Sequence, residues 1–137
     1  MFVLNHQYDL GEKKFSETEI IEFATAYDPL TFHLNADAAH KSLFKGLVCS
    51  GPQPFNYFYR DRWVPKFGPT VVAGIGVDNW RFVKPVYVNQ IVHCRVRITE
   101  LTSHPEKGTV TVRWYFEFVN DEGTLVQHLE MLVLHRN

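Results

Sequence analysis

The sequence predicts an α+β fold, on three observations. A helix with explicit start and stop signals lies near the N-terminus, an aromatic-rich helical segment follows Gly51, and the stretch from about Val71 onward alternates at strand period. At 137 residues the chain has the length of one domain, residues 1–137.

The first helix is marked by Ser16 and Glu19, a capping box in which each side chain reaches the other's free backbone amide. Phe15 before the cap and Ile20 inside it form a hydrophobic staple. Ile20, Phe23, Ala24 and Tyr27 then repeat on one helical face. Pro29 disfavours helical backbone at the residue before it, which ends the helix near Asp28. Asn35 is placed to cap a short second helix over about Ala36–Ser42. The third helix opens at Gly51-Pro52, carries Phe55, Phe58, Tyr59 and Arg62 on one face, and is closed by Pro65 and Gly68-Pro69.

Strands are expected near Phe2–Tyr8 and over about Val71–Val83. The Gly74-Ile75-Gly76 run inside the latter reads as a bulge or a close backbone approach. Val92, Cys94, Val96 and Ile98 face one way while His93, Arg95, Arg97 and Thr99 face the other. Val110, Val112, Trp114, Phe116 and Phe118 repeat this pattern, and Asn120-Asp121-Glu122-Gly123 turns the chain into a last strand over about Leu125–His135. The product is a long antiparallel sheet against an aromatic-rich helix.

Composition narrows the function. With 45% hydrophobic and 21% charged residues the balance is that of an ordinary globular protein. A formal net charge of −1 offers no cationic excess for a phosphate backbone, which argues against nucleic acid as a partner. No apolar run approaches the roughly 20 residues of a membrane helix, and the N-terminus lacks the features of a secretory signal. Cys49 and Cys94 form neither a CxxC pair nor a disulfide framework. The cytoplasm is the expected compartment. None of the seven histidines has metal-ligand spacing, and no phosphate loop or GxSxG elbow is present.

One region does carry chemistry. In Tyr27-Asp28-Pro29-Leu30-Thr31-Phe32-His33, an Asp and a His five residues apart are joined by an apolar turn that can bring them to one small volume. A carboxylate beside an imidazole is an acid/base pair able to handle water. Taken alone, Asp-Pro also reads as turn chemistry and His33 as a core residue. Gly51 supplies a third component: an amide at a helix start can polarise a carbonyl oxygen. Pro52 and Pro54 have no N–H, which leaves Gln53 as the second donor, and the Ser50 hydroxyl can tie down the turn.

The run FATAYDPLTFHLNADAAHKSLFKGLVCSG resembles the signature of the MaoC-like, or (R)-specific enoyl-CoA hydratase, family. Asp28, His33 and Gly51 fall on the signature's Asp, His and Gly, the last two 18 residues apart as in the family. Phe44-Lys45-Gly46-Leu47-Val48 and Trp80-Arg81-Phe82-Val83-Lys84-Pro85-Val86 are also similar to family segments. The resemblance implies a hotdog fold, an antiparallel sheet wrapped around a long central helix, and a homodimer. It implies reversible addition of water to a 2-enoyl thioester of coenzyme A or an acyl carrier, with Asp28, His33 and the Gly51 amide as the catalytic groups. Ser50, Gln53, Tyr59, Arg81 and Lys84 are the expected substrate contacts, and Arg62 is a further candidate for the coenzyme A phosphates. No metal or resident cofactor is implied, since coenzyme A belongs to the substrate. Leu30, Thr31 and Tyr59 depart from the pattern, standing where members commonly carry Asn or Gln, Pro, and in some cases Ser. A hotdog thioesterase and a non-catalytic acyl-CoA-binding hotdog are the alternatives.

Overall fold

The computed structural model describes residues 1–137. The chain runs β1 (Gln7–Lys14), α1 (Glu17–Tyr27), α2 (Thr31–Leu34), α3 (Ala36–His40), α4 (Gln53–Phe58), a π-helical turn (Tyr59–Trp63), α5 (Val64–Phe67), β2 (Val71–Phe82), β3 (Ile91–His104), β4 (Thr109–Asn120) and β5 (Leu125–Arg136). The α1 capping box forms as expected: Glu19 N–H donates to Ser16 Oγ at 3.2 Å and Ser16 N–H donates to Glu19 Oε1 at 3.0 Å. Asn35 caps α3 by accepting from Ala38 N–H at 3.0 Å.

Of the two closing signals, Pro65 and Gly68-Pro69, the central helix ends at the second. It does not stop at Pro65 but passes through the π-helical turn and runs on to Phe67. Proline lacks the N–H for the helical ladder, and its ring collides with the carbonyl of the preceding turn. The π turn, closed by Val64 N–H donating to Tyr59 O, widens the helix just before Pro65 and accommodates that ring.

The five strands form one antiparallel sheet in the order β1-β3-β4-β5-β2. The alternating sets on β3 and β4 all point inward and are buried. The central helix lies along them. Phe55 meets Phe116 edge-on, Phe58 approaches Phe118, and Trp63 and Phe67 both contact Trp114. The Asn120 turn closes with Gly123 N–H on Asn120 O, and Gly123 takes a φ of 78°, which glycine adopts without strain.

The N-terminal strand lies later than the sequence indicated, at Gln7–Lys14 instead of Phe2–Tyr8. A bulge between Asp9 and Glu12 breaks its alternation, with Gly11 at φ 85° and its N–H on Asp9 Oδ1. Phe2 instead packs as a single ring over Trp114 and His135. The expected irregularity at Gly74–Gly76 is present as a register shift in β2. That strand pairs only with β5, and Val72, Ile75 and Val77 are exposed along it. No helix is long and apolar enough to cross a membrane.

Candidate functional site

Asp28 is placed by the end of α1. Its N–H completes the helix on Ala24 O at 2.8 Å, but its backbone has left the helical region (φ −158°, ψ 68°), which the following proline disfavours. The Asp28 carboxylate accepts a hydrogen bond from Ser50 Oγ at 2.7 Å. His33, in α2, is 5% exposed. Its Nδ1 lies 2.8 Å from Val48 O. A carbonyl oxygen can only accept, so Nδ1 carries the hydrogen and Nε2 is the nitrogen left for chemistry. Nε2 faces Asp28 Oδ2 at 3.4 Å. The Asp and His that the sequence set five residues apart therefore meet, and Ser50 joins them.

Gly51 lies between this pair and the start of α4. Its N–H donates to no group of the protein, while its carbonyl accepts from Gln127 Nε2 at 3.0 Å. The other end of that amide, Gln127 Oε1, accepts from Trp80 Nε1 at 2.8 Å. Only glycine fits at this position without displacement: a Cβ there would stand 2.7–2.9 Å from three atoms of the Phe82 ring.

These groups line a cavity of about 380 Å³. Asp28, His33, Ser50, Gly51 and Lys84 all border it, together with apolar walls from Phe32, Phe44, Phe82 and Val83. Cys49 also lines it, but burial pushes its thiol pKa well up and keeps it protonated, which disqualifies it as a nucleophile.

The other expected contacts fall elsewhere. Gln53 is not the second amide donor: its N–H bonds Ser50 O at 3.0 Å and its Nε2 donates to Glu19 O at 3.1 Å. Gln53 and Tyr59 line a second cavity of about 780 Å³, and the Tyr59 ring stacks on Trp63 at 5.4 Å. Arg81 sits on exposed β2 opposite His128 and borders neither cavity. Arg62 is held at β1 by Leu10 O and the Tyr57 hydroxyl and itself lines neither cavity. Leu30 is 49% exposed and does not line the first cavity, so no polar wall is lost there through its side chain.

Sequence reasoning missed Gln127 and Val48. Gln127 is 3% exposed, and a glutamine buried in an apolar strand pattern was the available signal. The Val48 contribution comes from a carbonyl, which no residue type announces.

The chain as a whole is similar to several known proteins. The chain is 26% identical over 114 residues to the uncharacterized protein YdeM of Bacillus subtilis, covering 81% of this chain and 80% of that one. It superposes on the MaoC-like dehydratase from Rhodospirillum rubrum with a TM-score of 0.87 and 23% identity, over 99% of this chain and 94% of the other. The (R)-hydratase from A. caviae involved in PHA biosynthesis matches with a TM-score of 0.77 and 21% identity, over 96% of both chains. The shared architecture is the hotdog fold, α+β with five antiparallel strands. The family model described as MaoC like domain matches residues 3–115, across α1, the Asp28–His33 pair, the central helix and most of the sheet, and the chain belongs to that family.

Proposed function

We propose that the protein is a hydratase/dehydratase that adds water reversibly to a 2-enoyl thioester. One observation carries the reading: Asp28, held by Ser50, faces His33 Nε2 in a cavity whose wall also holds the unbonded Gly51 N–H. In hydration, Asp28 takes a proton from a water that His33 Nε2 helps to orient. The water oxygen bonds to C3, and the C2=C3 electron pair moves onto the thioester oxygen. The Gly51 N–H stabilises that oxygen. C2 then recovers the proton from the Asp28–His33 pair, so that H and OH have been added and the enzyme is unchanged. Water, two side chains and one amide suffice, and no metal or resident cofactor is called for.

Lys84, at the wall of the cavity, is the cation for a phosphorylated carrier such as coenzyme A. The protein acts as a homodimer joined along β2, whose unpaired outer edge and exposed Val72, Ile75 and Val77 favour a second copy. Light scattering at twice the chain mass checks this. Both cysteines are free and buried, in keeping with a cytoplasmic setting. The deciding experiment follows enoyl-thioester absorbance for wild type, Asp28→Asn and His33→Ala. Hydration by wild type with a loss of about a hundredfold or more in each variant is expected; thioester cleavage without hydration would replace the reading with a hydrolase.

A further inference from the structure

Glycine is the residue whose backbone turns most freely, yet an amide that is to meet developing charge must be held in place before the reaction begins. The structure holds Gly51 through both flanking peptide planes. On one side Ser50 O accepts from Gln53 N–H at 3.0 Å, and on the other Gly51 O accepts from Gln127 Nε2 at 3.0 Å. Only the two dihedrals of Gly51 lie between these planes. Anchoring both planes therefore sets the direction of the Gly51 N–H.

The Gln127 bond is itself directed. An indole N–H can only donate, and Trp80 Nε1 takes Gln127 Oε1 at 2.8 Å. That leaves the amino end of the buried side chain for Gly51 O, which can only accept. Reversing the amide would break both bonds. Trp80 reaches this place through an irregularity in β2. Most of that strand is exposed, but Trp80 packs edge-on against Phe55 at 5.4 Å and Phe82 at 5.7 Å. The register against β5 shifts between Asp78 and Arg81, and Asn79 takes a φ of 52°, a left-handed conformation that asparagine tolerates better than most residues. Bulges of this kind re-aim a side chain and are common next to active sites.

We infer that Trp80 and Gln127 are positioning residues: the indole orients the glutamine amide, and the amide holds Gly51 so that its N–H meets the thioester oxygen as charge develops. The inference rests on the hydratase reading, and its test separates the two.

Gln127→Met keeps a side chain of similar length and removes both bonds, whereas Trp80→Phe keeps a ring against Phe55 and removes only the donor. With 2-enoyl-CoA substrates, kcat is expected to fall about 10–100-fold in Gln127→Met and about fivefold in Trp80→Phe. KM should stay within about threefold, because charge on the thioester oxygen develops only in the transition state. The double variant should be no slower than Gln127→Met, and a slower one overturns the part given to Trp80. The 15N order parameter of the Gly51 amide reads the same hold without turnover: about 0.85 in wild type and below about 0.6 in Gln127→Met. Should Gln127→Met fail to fold in a thermal melt, Trp80→Phe is read by the same two measurements. A kcat within about twofold of wild type, or a Gly51 amide as rigid as in wild type, overturns the inference and leaves the hydratase reading standing. If the wild type hydrates no enoyl-CoA, the hydratase reading fails and the order parameter decides. Lost order at Gly51 then supports the hold by Trp80 and Gln127, and unchanged order overturns it.

Discussion

Replacing Gly51 with alanine puts the proposed oxyanion contact to a quantitative test. The new methyl would stand 2.7, 2.8 and 2.9 Å from Phe82 Cζ, Cε1 and Cε2. Ordinary carbon contacts lie at about 3.5–4.0 Å, so the ring tip must retreat by roughly 1 Å. Phe82 is 58% exposed at the end of an edge strand and can swing outward. Gly51 is not in the left-handed region, so alanine adds no backbone strain there. The fold should therefore lose no more than about 1 kcal/mol, a shift of a few degrees in Tm. Activity should suffer far more. Alanine keeps the N–H, but the methyl and the displaced ring both intrude on the cavity beside it, and pushing the thioester oxygen out of reach of such a donor costs about 10²–10³ in rate. Enoyl-thioester absorbance kinetics and a thermal melt on the same preparation read the two effects separately. Phe82→Leu added to Gly51→Ala should restore part of the rate if the ring is what shifts. A Gly51→Ala protein with kcat/KM within about threefold of wild type would refute the placement of the thioester oxygen against this part of the wall.

Ser50→Ala should lower kcat by about 10–100-fold, since it removes one hydrogen bond to a charged acceptor worth about 1.5–3 kcal/mol; steady-state kinetics show whether the effect falls on kcat more than on KM. The fully buried His135 accepts from Trp114 Nε1 at 3.1 Å and pairs through Nδ1 with Thr70 Oγ1 at 2.9 Å, and burial lowers its pKa from 6.5 to about 4. The unfolded chain thus takes up this proton below about pH 6.5 and the folded one only below about pH 4, so stability is full above 6.5 and falls by about 3 kcal/mol between these values; urea midpoints at several pH values should show the slope, and His135→Gln should flatten it.

The parts that the sequence made legible are those governed by near neighbours. Ser16 and Glu19 are three residues apart and define the start of α1 without help from the rest of the chain. The alternation in β3 and β4 is regular because both strands are interior and bury one face. β1 was misplaced because the Asp9–Glu12 bulge breaks its period and because Phe2 packs as an isolated ring. At the site, Asp28 and His33 were picked out by resemblance to the family signature, since their five-residue spacing alone reads equally as turn chemistry and a core histidine. The Ser50 bond to Asp28 spans 22 residues and the Gln127 bond to Gly51 spans 76, distances at which no local pattern points from one partner to the other. The π turn escaped for a different reason: Pro65 reads as a stop until the backbone ahead of it widens.

The position of β2 has a consequence for how firmly the site is held. This strand buries little of its own surface, yet its last residue, Phe82, and the following Val83 form part of the first cavity's wall. Segments with few buried apolar contacts open locally at low free-energy cost, while interior strands open only with the whole domain. Amide hydrogens of β2 should therefore exchange with solvent well ahead of those in β3 and β4. A ligand that presses Phe82 against Gly51, or a second chain that pairs with the open edge, would slow that exchange. Occupancy of the site and closure of the sheet edge would then be read out on the same set of amides.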